Sequence, residues 1–95
     1  MARYSENVRD SILVYLRQEF SNFIIDEESQ NDSYCFRLTN ENNSYFVRVM
    51  YTAIEAEDLM AIVSQLERLS VADTMRGLGD FPVVVTDCGC IFGSP

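Results

Sequence analysis

Two short runs of alternating residues limit the fold of this chain more than any other feature. SYCFRLT (33–39) and YFVRVMYT (45–52) each place an apolar side chain at every second position, which is typical of half-buried β-strands. Between them, asparagines at 42 and 43 predict a two-residue type I′ turn, because asparagine tolerates positive φ. That turn would pair Leu38 with Val47, Phe36 with Val49 and Tyr34 with Tyr51. The apolar partners would then share one face of a hairpin.

Helical periodicity flanks this hairpin. Apolar residues recur every four positions from Ser5 to Phe20, with Ser5 as a suitable N-cap. A capping-box pattern at Thr52 and Glu55 predicts a second helix over residues 55–69. The segment SVAD (70–73) repeats that pattern, which indicates either a kink or a new short helix before the glycines at 77 and 79.

Two further strands complete the predicted order of elements. One begins with FIID (23–26), and the other is FPVVVTD (81–87), with its proline at the start, where a strand tolerates it. The tail CGCIFGSP either adds a short pairing segment or frays. The order α-β-β-β-α(kinked)-β predicts a single α+β domain over residues 1–95, a two-layer sandwich with a mostly antiparallel sheet and helices on one face. The last strand has two candidate neighbours, the first strand and the third.

The charge balance is strongly acidic. Fifteen Asp and Glu oppose seven Arg, with no Lys and no His, for a net charge of -8. This sign disfavours binding to nucleic acid or to an anionic membrane and favours a partner protein with a basic surface. The three cysteines follow no disulfide-framework spacing, and the N-terminus has neither a signal core nor a membrane span. We expect a cytoplasmic protein.

Acidic residues are expected to gather at one end of the sheet. If the strands alternate in direction, the turn after the first strand and the start of the second helix lie at the same end. The candidate partner-binding carboxylates are Asp26, Glu27, Glu28 and Asp32 in the turn and Glu55, Glu57 and Asp58 at the helix start. Such a cluster can steer a basic partner. Equally, acids are ordinary at hairpin tips and favourable at helix N-termini.

The outer face of the hairpin is a second candidate, comprising Arg37, Phe46, Arg48 and Met50. The predicted register sets Arg37 opposite Arg48, and like charges in that position repel unless an acid lies near them. A carboxylate of the same chain, with the segment near Asp73 as one source, would satisfy them. Alternatively, the four residues form a homodimer or partner surface with apolar contacts and arginine anchors.

Catalytic chemistry has little support in the sequence. Without histidine, the commonest general base and the usual triads are absent, and the acids are predicted in exposed turns that would not raise a carboxyl pKa. CGC at 88–90 has neither redox-motif nor zinc-site spacing, and the glycines at 77 and 79 follow a helix, whereas a phosphate loop precedes one. We therefore expect no catalytic residue, no metal and no cofactor.

Two functional hypotheses follow. The first is a non-catalytic binding protein that inhibits a partner by covering its basic, nucleic-acid-binding surface, as phage nucleic-acid mimics do with carboxylates in place of phosphates. The alternative is a chaperone-like or structural homodimer that associates through the outer face. The order helix, three strands, helix, strand resembles that of the small acidic chaperones of type III secretion. That resemblance covers element order and no residue motif, so it implies no site residue.

Overall fold

A layer of helices lies on one face of a five-stranded sheet, which confirms the α+β class and the approximate order of elements predicted from the sequence. The computed structural model describes residues 5–28, 30, 32–54, 58–79, 82–86 and 89–92. Its elements are α1 (Glu6–Glu19), β1 (Ile24–Glu27), β2 (Ser33–Thr39), β3 (Ser44–Met50), a 3₁₀ turn (Tyr51–Ala53), α2 (Leu59–Arg68), α3 (Val71–Leu78), β4 (Val83–Thr86) and β5 (Gly89–Phe92). No helix among these residues is long and apolar enough to cross a membrane.

The sheet order is β1-β2-β3-β4-β5. β4, the predicted strand at 81–87 with two candidate neighbours, therefore lies beside β3 and not beside β1. β3 and β4 run parallel, and the other three neighbouring pairs are antiparallel. A parallel pair requires a crossover connection, and α2 and α3 supply it. The tail segment that was expected to pair or fray forms β5, which runs antiparallel to β4.

Helix α1 begins where the sequence predicts. The Ser5 side chain accepts a hydrogen bond from the Val8 backbone N–H at 3.4 Å, which satisfies one of the free donors of the first turn. The four-residue period buries Val8, Ile12, Leu16 and Phe20 on one side of the helix. That apolar stripe anchors α1 to the core, because burial of each such side chain contributes roughly 1.5–3 kcal/mol.

The β2–β3 hairpin has a different register from the predicted one, shifted by two residues. Leu38 pairs with Tyr45, where the type I′ turn would have paired it with Val47. Neither asparagine at 42 or 43 has positive φ, since Ser70 is the only described residue other than glycine that does. The reason is Asn40, whose side-chain oxygen accepts hydrogen bonds from the backbone N–H groups of residues 42 and 43 at 2.9 and 2.8 Å. Because the shift is two residues, the apolar side chains stay on the same face.

The second helix is shorter than predicted. It begins at Leu59, after Asp58, whose carboxylate accepts a hydrogen bond from the Ala61 N–H at 3.4 Å. Thr52, half of the predicted capping box, lies in the 3₁₀ turn, and Glu55 lies outside the described residues. Of the apolar residues of this helix, Leu59 is 45% exposed, while Ile62 and Leu66 are buried.

Of the two alternatives predicted at SVAD, a kink or a new short helix, the structure has the second, because α2 and α3 are separate helices. Ser70 adopts a left-handed backbone conformation, with φ 54°, and its side chain makes no capping hydrogen bond. The hydroxyl of Tyr15 instead accepts a hydrogen bond from the Ala72 N–H at 3.0 Å, in a buried position. A residue of α1 therefore satisfies a donor in the first turn of α3 and holds the two helices together.

Candidate functional site

The two faces of the sheet differ in what lies against them. Apolar residues of the inner face join those of the three helices in one buried cluster: Tyr34, Phe36, Leu38, Val47, Val49, Val83 and Val85. We call the opposite side of the sheet the outer face. Its residues include Asp26 of β1, Ser33, Cys35 and Arg37 of β2, Phe46, Arg48 and Met50 of β3, and Val84 of β4. This side is partly accessible, since Asp26 and Arg37 are exposed while Ser33 and Cys35 are fully buried.

The arginines of the outer face do not oppose one another, so the predicted Arg37–Arg48 pairing is wrong. The two-residue shift places Arg37 opposite Phe46 and Arg48 opposite Cys35. The Arg37 guanidinium lies over the Phe46 ring, 5.5 Å from its centre, at a distance suitable for a cation–π contact. The register thus replaces an unfavourable like-charge pair with a favourable contact.

The position of Arg48 is fixed mainly by Asp32, in the turn before β2. Its guanidinium donates to both carboxylate oxygens of Asp32, at 2.9 and 3.1 Å, and its Nε donates to the Ser33 hydroxyl at 3.0 Å. The hydrogen bond from Arg48 and a second one from Ser33 hold the pKa of Asp32 below its ordinary value of 3.8. Ser33 and Cys35 lie buried in this part of the outer face. Sequence reasoning missed Ser33, because a serine in a strand gives no signal until the register is known.

Arg37 is paired with a second carboxylate of the turn, that of Glu28, at 3.3 Å. Both side chains are about half exposed, at 49% and 48%. Asp26 is the direct register partner of Arg37 across β1 and β2 and lies on the same face. Exposed ion pairs contribute only about 0–1 kcal/mol, so the Arg37–Glu28 pair orients these side chains more than it stabilises the fold.

Glu27 belongs to the other side of the sheet. It pairs in register with the inner-face residue Phe36, and its carboxylate lies 3.5 Å from the guanidinium of Arg9 on α1. Arg9 also contacts Asp10 at 3.0 Å. These contacts connect α1 to the edge strand. The four candidate acids of the turn therefore divide between two faces and do not form a single cluster.

The carboxylates that pair with the outer-face arginines come from the same chain, as expected, but not from the segment near Asp73. Acids of the same chain do pair with Arg37 and Arg48, but they come from the turn before β2. Asp73 instead contacts Arg76 of its own helix, at 3.2 Å. The sequence could not assign these acids, because the predicted hairpin register was wrong by two residues.

The helix-start acids form no described part of this surface. Glu55 and Glu57 lie outside the described residues, and Asp58 caps α2. The two candidate sites proposed from the sequence nevertheless meet, since Glu28 and Asp32 of the turn bind the two arginines of the outer face. The result is one surface on which paired charges alternate with apolar side chains, since Arg48 lies between Phe46 and Met50 along β3.

The described residues offer no site for a metal ion. Across the described segments, no group of three or more Cys, Asp and Glu side chains is placed to hold a metal ion. Cys35 is a free, buried thiol, 3.4 Å from the Ser33 hydroxyl. Cys88 lies outside the described residues, so the expectation that the CGC segment forms neither a redox motif nor a zinc site stays a prediction.

Comparison with protein-family models, curated proteins and solved structures found no match to this chain.

Proposed function

We propose that this protein is a small, acidic, non-catalytic module that binds another protein through the outer face of its sheet. The observation that carries the proposal is the junction of the two candidate sites. The half-buried Phe46 and Met50 lie beside arginines whose positions are set by carboxylates of the neighbouring turn. A cytoplasmic location is part of the same proposal, and the free thiol of Cys35 supports it.

The apolar part of the outer face supports a protein partner. The solvated face of a sheet normally carries polar side chains, but this face carries Phe46 and Met50 on β3 and Val84 on the adjacent β4. Each of the three is partly accessible, and Met50 also contacts the core cluster. Aromatic, methionine and arginine side chains are enriched in protein interfaces.

The fixed arginines support binding because little side-chain freedom is left to lose. Arg48 makes three hydrogen bonds within its own chain, and Arg37 contacts both a carboxylate and an aromatic ring. Ordering a long side chain at an interface costs about 0.5–1.5 kcal/mol, and the two ion pairs meet part of that cost before the partner arrives.

A basic partner is favoured by charge at long range. Internal ion pairs leave the net charge of -8 unchanged, so the molecule still attracts a positive surface. The more specific version, an inhibitor that mimics nucleic acid, uses the turn carboxylates in place of phosphates. Glu27, Glu28 and Asp32 already contact arginines, so in this version those ion pairs exchange for contacts with the partner. Its mark is strongly salt-sensitive binding.

A homodimer through the outer face is the second candidate, and the local charge favours it. Asp26, Glu28 and Asp32 supply three negative charges against two positive charges from Arg37 and Arg48. Two copies of this nearly balanced face can meet in an isologous contact without the repulsion that the overall charge suggests.

The test is affinity capture from the native host lysate with quantitative mass spectrometry. Phe46→Asp removes the apolar contact and is compared with Asn7→Asp, which makes the same charge change on an exposed position of α1. A third sample replaces the four acids Asp26, Glu27, Glu28 and Asp32 with their amides. We expect one protein to be retained by the wild type and Asn7→Asp and to be lost with Phe46→Asp.

The outcomes separate the versions of the proposal. Loss with the amide variant as well supports the basic-partner version. Light scattering that shows wild-type dimers and Phe46→Asp monomers supports the homodimer. Equal retention by Phe46→Asp and Asn7→Asp, together with no change of mass, would show that the outer face is not the binding surface.

A further inference from the structure

A groove between α1 and α2, in the helical layer and so apart from the outer face, exposes apolar side chains that the core does not use. It has a volume of about 270 Å³ and is lined by Val14, Gln18, Leu59, Met60, Val63, Ser64 and Glu67. Leu59 is 45% exposed and Met60 is 74% exposed, and both lie in the first turn of α2. Contiguous exposed apolar surface is one mark of an interaction site, and these two side chains adjoin each other beside the groove.

The size of the groove indicates what kind of group it accepts. Pockets for small molecules usually have volumes of roughly 300–1,000 Å³ and enclose most of the ligand. This groove is smaller and open, so it suits one inserted side chain of a larger partner. Methionine adapts its shape to such a side chain, because it is unbranched and has a polarisable sulfur.

The charges along the groove indicate the partner's flanking residues. Glu67 is the one charged lining residue among those that the structure describes. Asp58, Arg17 and Arg68 are sequence neighbours of lining residues, but none of them lines the groove. The wall is therefore mostly apolar and carries one negative charge, on a molecule whose net charge is -8.

We infer that this groove docks an amphipathic helix of another protein, with an apolar side chain seated against Leu59 and Met60 and a flanking Lys or Arg facing Glu67. A helix in a groove is a common form of recognition, with apolar anchors at helical spacing. The inference concerns a surface in the other layer of the molecule and stands whether or not the outer face binds a partner.

The experiment uses a synthetic amphipathic peptide of leucine and lysine, labelled for fluorescence anisotropy. Met60→Asp adds a negative charge, which strengthens non-specific attraction to the basic peptide, while it removes the apolar contact. Asn42→Asp adds the same charge at an exposed position of the β2–β3 turn. We expect Met60→Asp to raise the Kd about tenfold or more, because it removes a contact of the size that one buried apolar side chain contributes. Asn42→Asp should leave the Kd unchanged or lower it slightly.

Two further variants identify the place and the charge partner. Phe46→Asp on the outer face should leave the Kd unchanged, and Glu67→Gln should weaken binding and reduce its dependence on salt. The inference is overturned if the wild type does not bind the peptide, or if Met60→Asp and Asn42→Asp bind equally well. It is also overturned if Phe46→Asp abolishes binding while Met60→Asp does not. A groove occupied by a second copy of the chain would appear as wild-type dimers that Met60→Asp dissociates, and that result would also contradict it.

Discussion

At the scale of single residues, the most informative group is Arg48 with Asp32 and Ser33. The sequence identified Arg37 and Arg48 as charges that need carboxylates. It could not identify which acids, because that depends on which residues share a row of the sheet, and a shift of two residues changes every pair. The structure assigns Asp32 to Arg48 and Glu28 to Arg37.

The Arg48–Asp32 contact predicts a measurable change in titration. Arg48→Gln removes the main cause of the lowered Asp32 pKa, so we expect that pKa to rise toward 3.8. NMR titration of the side-chain carboxyl measures it directly. Arg37→Gln is the matched control, since it removes an outer-face arginine that pairs with Glu28. An Asp32 pKa that is the same in the wild type and in Arg48→Gln would show that the contact does not form in solution.

The same shift determines how stability varies with pH. The folded-state pKa of Asp32 is lower than the unfolded value, so the ionised carboxylate favours the folded state. Its contribution is fully present above pH 3.8 and is lost as the pH falls through the lowered pKa. In Arg48→Gln, this part of the acid sensitivity should become smaller, with only the hydrogen bond from Ser33 left to favour the ionised carboxylate.

At the scale of elements, the sequence predicted what repeats along the chain and failed where a single side chain decided the geometry. Periodicity located α1 and the hairpin strands, and the repeated capping pattern located the break near Ser70. The hairpin register depended on Asn40, whose side chain caps the loop from a position that the Asn-Asn turn rule does not consider. The start of α2 depended similarly on Asp58 as N-cap.

Asn40 therefore offers a test of the register. Asn40→Ala removes two hydrogen bonds to the loop backbone and should lower the free energy of unfolding by about 1 kcal/mol. Asn40→Asp keeps an acceptor oxygen in the same place and should change it by much less. Urea denaturation measures both. If the two variants are equally stable, the side chain of Asn40 does not fix the hairpin.

The attachment of α3 depends on a buried hydroxyl. Tyr15→Phe leaves the Ala72 N–H buried without its acceptor, and we expect a loss of about 1–3 kcal/mol in the free energy of unfolding. Tyr45→Phe is the control, because the described contacts of Tyr45 are made by its ring, with Phe20 and Phe23. Urea denaturation in which the two substitutions cost the same would show that the hydrogen bond from Ala72 does not hold α3 in place.

At the scale of the whole molecule, long-range and local charge differ. The molecule carries a net charge of -8, yet the outer face combines three acids with two arginines and is nearly neutral. Attraction at a distance therefore favours a basic partner, while in the proposed interaction close contact would depend on shape and on the apolar side chains Phe46, Met50 and Val84. The overall composition predicted the long-range charge. The nearly neutral outer face could not be predicted from it, because only the fold brings its residues together.

Photo-crosslinking from position 46 tests whether the outer face is where this protein meets its partner. A photoreactive phenylalanine analogue replaces Phe46 in one sample and Asn7 on α1 in a control, and both proteins are irradiated in native host lysate. We predict one dominant adduct from position 46, to another protein or to a second copy of the chain, and no such adduct from position 7. Equal labelling from both positions, or no adduct from position 46, would contradict the account.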